Sequence, residues 1–201
     1  MKFTPFNLTK AMLLRPFAYS ALLSLLALAA CKDDDIPAPG LPEATQTGQN
    51  TGGAKVDGTV WLPIQQFLLA GKPLEARYAK SSTGNELNLY FGRFPIEQDD
   101  PFNETSINLH VPDIRTAGTV LFNQPADPRL TTSNPAYATF TYGKPSPDQV
   151  LITGPTATGK LVVTRLDTIA RVVAGTYEFR AQALSGTGSV NVTEGRFDLK
   201  Y

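Results

Sequence analysis

Large apolar side chains alternate with polar ones in short runs from residue 54 to the C-terminus. The run NELNLYFGRF, for example, places Leu87, Leu89 and Phe91 on one face of an extended chain. This period of two is typical of β-strands with one buried face. Gly, Pro, Asn and Asp separate the runs, and no window of helical length shows an apolar stripe. We therefore predict a single all-β domain over 54–201, an antiparallel β-sandwich or barrel-like sheet of about ten strands.

Glycines modify the alternation at two places. In the last run Val192 and Phe197 fall in opposite phases, and Glu194 and Gly195 lie between them. A one-residue shift of phase predicts a β-bulge there. Gly175 lies inside another run, where a residue without a Cβ indicates a bend or the close approach of a second backbone.

The first 30 residues have the layout of a signal peptide. Lys2, Lys10 and Arg15 come first, without any acid, and an uncharged run of 14 residues follows from 17 to 30. A helix that spans a membrane needs about 20 apolar residues. We therefore predict that 1–30 is a cleaved export signal and takes no part in the fold.

Cys31 is the only cysteine of the chain, and it directly follows Leu28, Ala29 and Ala30. This order resembles the bacterial lipobox, in which a leucine and two small residues precede a lipidated cysteine. The resemblance implies that the Cys31 thiol carries a diacylglyceryl group and that the new N-terminus is acylated. Two or three acyl chains hold a protein stably on a membrane. We therefore expect a lipoprotein without a disulfide.

Lys32, Asp33, Asp34 and Asp35 follow the cysteine. The sequence CKDDD resembles the surface-export signal of Bacteroidetes lipoproteins, a lysine followed by acids after the lipidated residue. Acidic side chains gain nothing from anionic headgroups, so the run is better explained as a signal that export machinery reads. The resemblance implies a lipid-anchored protein of the outer membrane that faces the cell exterior.

Residues 31–53 separate the lipidated cysteine from the alternating pattern. The segment holds no aromatic and few large apolar side chains, and Pro, Gly, Thr, Gln and Asp dominate it. Such a composition buries too little apolar surface to offset the entropy of ordering a chain. We therefore predict that the lipidated cysteine and 32–53 form a disordered tether, which lifts the domain away from the headgroups.

Four stretches carry a resemblance to a known family. VDGTVW, GKLVVTRLD, VVAGTYEFRA and VTEGRFDLKY are similar to sequences in a family of uncharacterised Bacteroidetes lipoproteins, most specifically over Gly159–Tyr201. The resemblance implies one β-rich domain of unknown function behind a lipoprotein signal. It implies no catalytic residue, because the family has no assigned activity.

Four acids cluster in the sequence FPIEQDDPFNE, namely Glu97, Asp99, Asp100 and Glu104. Carboxylate oxygens bind Ca²⁺, and a pair of carboxylates also serves glycoside hydrolysis. The spacing matches neither an EF-hand loop nor another known site, so a solvated acidic loop is the favoured interpretation. We keep the four residues as a weak calcium candidate and otherwise predict no metal, no cofactor and no catalytic residue.

His110 is the only histidine of the chain. It alternates with Leu109 and Val111, so we predict that it lies on the polar face of a strand, in contact with solvent. A zinc site of the usual His and Cys composition is not available to a chain with one histidine and one lipidated cysteine.

The tripeptide Asp167-Thr168-Ile169 resembles the O-glycosylation acceptor of Bacteroidetes, an aspartate followed by Thr or Ser and an apolar residue. It falls between two predicted strands, at a hairpin tip that a transferase would reach. The tripeptide is also common by chance, so we keep Thr168 only as a candidate for O-glycosylation.

Aromatic residues lie on or near many of the predicted strands, and most large aromatics of an all-β domain belong to the core. Tyr137 and Tyr142 fall on opposite phases of one strand, so at most one of them faces inward. Aromatics on the outer face would be able to stack on sugar rings.

The charge of the exported chain excludes one class of partner. Loss of the leader removes three of the 18 basic residues and none of the 18 acidic ones, which leaves a net charge of −3. A weakly acidic chain without a basic cluster is not expected to bind nucleic acid.

Three functions remain open from the sequence. The first is a non-enzymatic binding module for an extracellular ligand such as a glycan, which exposed aromatics along one concave face would favour. The second is a structural or accessory subunit of an outer-membrane complex, which an apolar surface patch would favour. The third and least favoured is a hydrolase, which would need two carboxylates about 5–10 Å apart in a pocket.

Overall fold

The computed structural model describes residues 40–65, 72–80, 84–94, 100–129, 134–143, 149–184 and 187–201. Every regular element in these residues is a strand. The twelve strands are β1 (Thr51–Val56), β2 (Thr59–Trp61), β3 (Ile64–Gln65), β4 (Leu74–Lys80), β5 (Asn85–Phe94), β6 (Thr105–Val111), β7 (Gly118–Phe122), β8 (Tyr137–Tyr142), β9 (Gln149–Ile152), β10 (Gly159–Asp167), β11 (Val172–Ala183) and β12 (Ser189–Lys200). The all-β prediction is therefore confirmed.

The strands form one mixed sheet that is not closed, and its two halves lie face to face as in a β-sandwich. One half runs β2-β1-β12-β11-β10-β7, and the other holds β9, β8, β6, β5, β4 and β3. The long strand β11 joins them, because it pairs with β10 along most of its length and with β9 at Gln182 and Ala183. Every pair is antiparallel except β3 with β5.

Side chains from both halves fill the space between them. The ring of Phe91 on β5 lies 5.4 Å from that of Tyr177 on β11 and 6.4 Å from that of Phe197 on β12. Trp61 is fully buried against Phe140, with ring centroids 6.5 Å apart. The alternating residues of the sequence therefore meet as one core, which leaves the opposite face of each half as an outer surface.

Both glycine predictions are confirmed. On β12, the two residues Thr193 and Glu194 lie opposite the single residue Glu178 of β11, between the pairs Tyr177↔Gly195 and Phe179↔Val192. Glu194 has a φ of 52° at this bulge. A Cβ on Gly175 would collide with the carbonyl oxygen of Val162, so its strand does approach a second backbone closely.

The predicted boundary of the tether at residue 53 is wrong. Thr51–Val56 is strand β1, which pairs with both β2 and β12. Residues 41–49, which we call the strap, cross the outer surface of the half that contains β12. Gly48 in the strap is buried, and a Cβ there would lie 3.0 Å from Val172 of β11. Part of the segment that we predicted as tether is therefore packed on the domain.

The strap is fastened by polar side chains of β10 and β12. The carboxylate of Asp198 accepts hydrogen bonds from the backbone amides of Thr47, Gly48 and Gln49 and from the hydroxyl of Thr45. Arg196 donates to the carbonyl of Pro42 at 3.2 Å, and Arg165 donates to that of Gln46. Asp198 is 1% exposed, and these donors satisfy a carboxylate that burial would otherwise penalise.

Candidate functional site

Polar and aromatic side chains form two rows on the outer surface of β5, β6 and β8. Leu89, Leu109 and Ala138 point into the core, so the residues beside them in each strand point outward. The pairing of the strands places Asn88, His110 and Tyr137 side by side in the first row. The second row holds Tyr90, Asn108 and Thr139.

These rows form the floor of a groove of about 360 Å³, which we call the outer groove. Its rim is formed by Pro128 and Arg129, which lie between β7 and β8. The residues that line it are Asn88, Leu89, Tyr90, Asn108, Leu109, His110, Pro128, Arg129, Tyr137, Thr139, Thr141 and Val150. None of these described residues is Asp or Glu, so they do not supply the paired carboxylates that a hydrolase would need.

The charge on the rim is compensated. The guanidinium of Arg129 donates to both carboxylate oxygens of Asp127, at 2.9 and 2.7 Å. These hydrogen bonds from the Arg129 side chain lower the pKa of Asp127 most, and the hydrogen bond from the Arg129 backbone amide adds a smaller effect. Together they hold this pKa at about 2. Because the pair is ionised together, these rim residues add no net charge to the outer groove at neutral pH. The carboxylate of Glu86 lies beside its floor, with Oε1 4.0 Å from His110 Nδ1.

A reciprocal pair of hydrogen bonds joins Asp127, which precedes the rim residues, to Asn134. The backbone amide of Asp127 donates to Asn134 Oδ1 at 3.0 Å, and Asn134 Nδ2 donates to the carbonyl of Asp127 at 2.8 Å. Asn134 lies three residues before Tyr137, which begins β8. The contact therefore fixes Pro128 and Arg129 relative to the floor of the groove.

The proton position on His110 follows from its neighbours. Asn88 donates its amide to the carboxylate of Glu86, which only accepts hydrogen bonds. Asn88 Oδ1 therefore faces Nδ1 of His110, 2.8 Å away, and this nitrogen must carry the proton. Nε2 of the neutral ring is then a hydrogen-bond acceptor. Burial lowers the pKa of His110, although the charge of Glu86 opposes this effect, so the ring is neutral at pH 7.

Both tyrosines of the outer groove are protonated phenols supported by neighbours. Burial, with a smaller effect of Glu86, raises the pKa of Tyr137, whose ring lies 4.9 Å from that of His110. Burial, with a smaller effect of Glu75, raises the pKa of Tyr90. The ring of Tyr90 leans over Gly92, where a Cβ would lie 2.6 Å from the phenol oxygen. The groove therefore combines aromatic surface with hydroxyl donors.

The prediction for His110 is correct in its face and wrong in its surroundings. The side chain points away from the core, as the alternation predicted, but only 18% of it is exposed. Asn88 and Tyr137 flank the ring, because β6 lies between β5 and β8, and Pro128 and Arg129 line the same groove. The opposite phases of Tyr137 and Tyr142 are confirmed, since Tyr142 packs against Phe140 on the core side.

The acidic cluster is described only in part. Glu97 and Asp99 lie outside the described residues. The carboxylate of Asp100 forms an ion pair with Arg93 and accepts from the amide of Phe102 at 2.8 Å. Among the described residues no three His, Cys, Asp or Glu side chains are grouped to hold a metal ion. The calcium site with Glu104 stays a prediction.

Thr168 lies in the four-residue turn between β10 and β11, as predicted. Asp167 fixes this turn by accepting hydrogen bonds from the amides of Ile169 and Ala170, at 3.0 and 2.8 Å. Thr168 is exposed, and Ile169 is 96% exposed. A transferase would meet the whole tripeptide here, and O-glycosylation of Thr168 stays a prediction.

The residues of the predicted export signal lie outside the described part of the chain. They are the leader 1–30, Cys31, Lys32, Asp33, Asp34 and Asp35. Within the residues that the structure describes, no helix is long and apolar enough to cross a membrane.

Sequence reasoning missed the two asparagines of the outer groove. Asn88 and Asn108 lie at outward positions of β5 and β6, and their only signal was the alternation itself. That signal gave their face but not their neighbours, because Asn108 pairs with Thr139 on β8, which is distant in sequence from β6.

No protein-family model matches the chain, and neither does any curated protein or solved structure. The resemblance to Bacteroidetes lipoproteins therefore stays a prediction, and the function is argued below from the outer groove.

Proposed function

We propose that this protein is a lipid-anchored, non-enzymatic binding module of the cell surface, and that the outer groove binds a neutral glycan. The observation that carries the proposal is the composition of the two rows. Tyr90 and Tyr137 offer aromatic surface for the C–H face of a sugar ring. Asn88, Asn108 and His110 offer amides and an imidazole that donate or accept hydrogen bonds from hydroxyl groups.

The charges of the groove favour a neutral glycan over an anionic ligand. The described ion pair at the rim, Arg129 with Asp127, is internally neutral. Glu86 beside the floor would repel an anion, whereas a polyhydroxylated neutral ligand needs no ionic partner.

The position of the strap supports display of the groove away from a membrane. The strap crosses the outer surface of the half with β12, whereas the groove lies on the outer surface of the half with β5. The strap, which is the N-terminal part of the described domain, therefore lies on the outer surface opposite to the groove. A lipid anchor that precedes the strap in sequence is compatible with an accessible groove.

The binding proposal is tested by a glycan array followed by calorimetry on the glycans that bind. Replacing Tyr137 or Tyr90 by Ala removes a stacking surface, and we expect each change to weaken binding at least tenfold, about 1.4 kcal/mol. Thr176→Ala is the matched control, since Thr176 is exposed on the opposite outer surface. Failure to bind any neutral glycan, or full affinity in both tyrosine variants, would refute the proposal.

Display on the surface is tested separately by adding protease to intact cells. We expect digestion of this protein while a periplasmic control protein is spared. Replacing Asp33, Asp34 and Asp35 together by Ala should protect it, if these residues are the export signal. Protection of the unaltered protein would place the domain in the periplasm.

A further inference from the structure

Strand β7 is the last described strand of one half of the sheet. It pairs with β10 from Gly118↔Val163 to Phe122↔Gly159, and with no other described strand. Alternate residues of such a strand direct their N–H and C=O groups away from the sheet. These groups are a template for another strand.

The edge at β7 lacks the features that protect other edges of this sheet. Strand β4, which flanks β5, carries Glu75, Arg77 and Lys80. Strand β2 is only three residues long. By contrast, residues 116–126 around β7 contain no charge, and Leu121 is 57% exposed. Natural proteins usually block a free edge with charge, proline or a bulge, so an uncharged edge indicates a pairing site.

We propose that β7 pairs antiparallel with β7 of a second copy of this chain, which makes one continuous sheet across a two-fold axis. The axis stands perpendicular to the sheet, so residues of one face must pair with residues of the same face. We place the pairing near the middle of β7, so that either Val120 or Leu121 faces its own counterpart. Leu121 is then beside Thr119 or Leu121 of the other copy. The pairing brings no like charges together, and it covers the exposed Leu121 side chains.

The ends of the uncharged stretch are also compatible with this symmetry. Arg115 precedes it and Asp127 follows it, and antiparallel pairing brings the start of one copy near the end of the other. Each of these residues already has an opposite charge beside it, Asp113 and Arg129 respectively. Neither end therefore presents an unbalanced charge to the second copy.

The position of the strap is also compatible with a second copy at this edge. A two-fold axis perpendicular to the sheet keeps both straps on one side of the dimer and both outer grooves on the other. If the chain is anchored as proposed above, both lipids reach the same membrane and both grooves face away from it. Confinement to one membrane also raises the effective concentration of the two edges.

The first experiment is crosslinking of the full-length protein in cells. Leu121→Cys places a thiol within reach of its own copy in either register, whereas Thr176→Cys, exposed on the same outer surface, is the matched control. With a short bifunctional maleimide we expect a band of twice the mass for Leu121→Cys and a monomer for Thr176→Cys. A monomer only, or a crosslink to a protein of another mass, would overturn the proposal.

The second experiment measures mass by sedimentation equilibrium of the full-length protein in detergent micelles. We expect the unaltered protein and Thr176→Lys to be dimers, and Leu121→Lys to dissociate at least tenfold more readily because the two lysines would lie directly or diagonally opposite each other. Circular dichroism checks that the variant is folded. A monomeric unaltered protein, or a Leu121→Lys dimer of unchanged affinity, would contradict pairing at β7. Neither measurement uses a glycan, so this proposal and the function of the outer groove fail independently.

Discussion

The carboxylate of Asp198 accepts a hydrogen bond of 2.6 Å from the backbone amide of Gly48, a residue 150 positions earlier in the chain. With three further donors from Thr45, Thr47 and Gln49, this carboxylate holds the strap on β12. Hydrogen bonds to an ionised acceptor are roughly twice as strong as neutral ones. One buried charge thus connects the N-terminal segment of the domain to its last strand.

Replacing Asp198 by Asn should release the strap. An amide has one accepting oxygen, so it cannot serve four donors, and its own N–H₂ group faces some of them. We expect a loss of about 3 kcal/mol in the free energy of unfolding, measured with urea. Thr45→Val removes one of the four donors and should cost about 1 kcal/mol. Equal effects of the two variants would show that the charge of Asp198 is unimportant.

The contribution of Asp198 should depend on pH. Burial alone would raise the pKa of this carboxyl, but the hydrogen bonds from Thr45 and from the amides of Gly48, Thr47 and Gln49 hold it below its usual value of 3.8. The unfolded chain therefore binds the proton first as the pH falls. The stabilisation is complete above about pH 4 and is lost as the pH falls through the lower pKa of the folded state. The difference in stability between the native protein and Asp198→Asn should shrink over this range, and a constant difference would contradict the prediction.

The alternation of the sequence predicted the strands and the core, but it failed where the strap covers the sheet. Val172–Gly175 on β11 is buried at every position, as is Phe197–Leu199 on β12. A period-two pattern assigns half of these residues to solvent. The strap itself was predicted as tether because its composition offers little apolar surface. It is ordered instead by hydrogen bonds to Asp198, which a count of apolar residues does not detect.

The outer groove shows a second limit of sequence reasoning. The alternation placed His110 and Tyr137 on outward faces correctly. It did not place them next to each other, because β7 lies between β6 and β8 in sequence but belongs to the other half of the sheet. The order of strands depends on how the whole core packs. A row of residues across three strands was therefore beyond prediction from local patterns.

Replacing Gly175 by Ala should destabilise the domain strongly. The new Cβ would collide with the backbone carbonyl of Val162 on β10. Because β10 and β11 are paired here, this carbonyl can move away only if the pairing of the two strands is disturbed. We expect a loss of about 3 kcal/mol in the free energy of unfolding, at the upper end for overpacking. Gly118→Ala is the matched control on β7, since nothing lies within 4 Å of its added Cβ. A similar melting temperature for the two variants would exclude a steric role of Gly175.

The single histidine makes the outer groove accessible to NMR titration. Burial lowers the pKa of His110 below its usual 6.5, and the charge of Glu86 partly offsets this effect. Glu86→Gln should therefore lower the pKa further, whereas Glu178→Gln on the opposite outer surface should leave it unchanged. Because the unfolded chain takes up the proton first, stability should fall as the pH decreases from about 6.5 through the folded pKa. A pKa at or above 6.5 in the native protein, or a rise in Glu86→Gln, would contradict the hydrogen-bonded neutral imidazole that we assign to the groove.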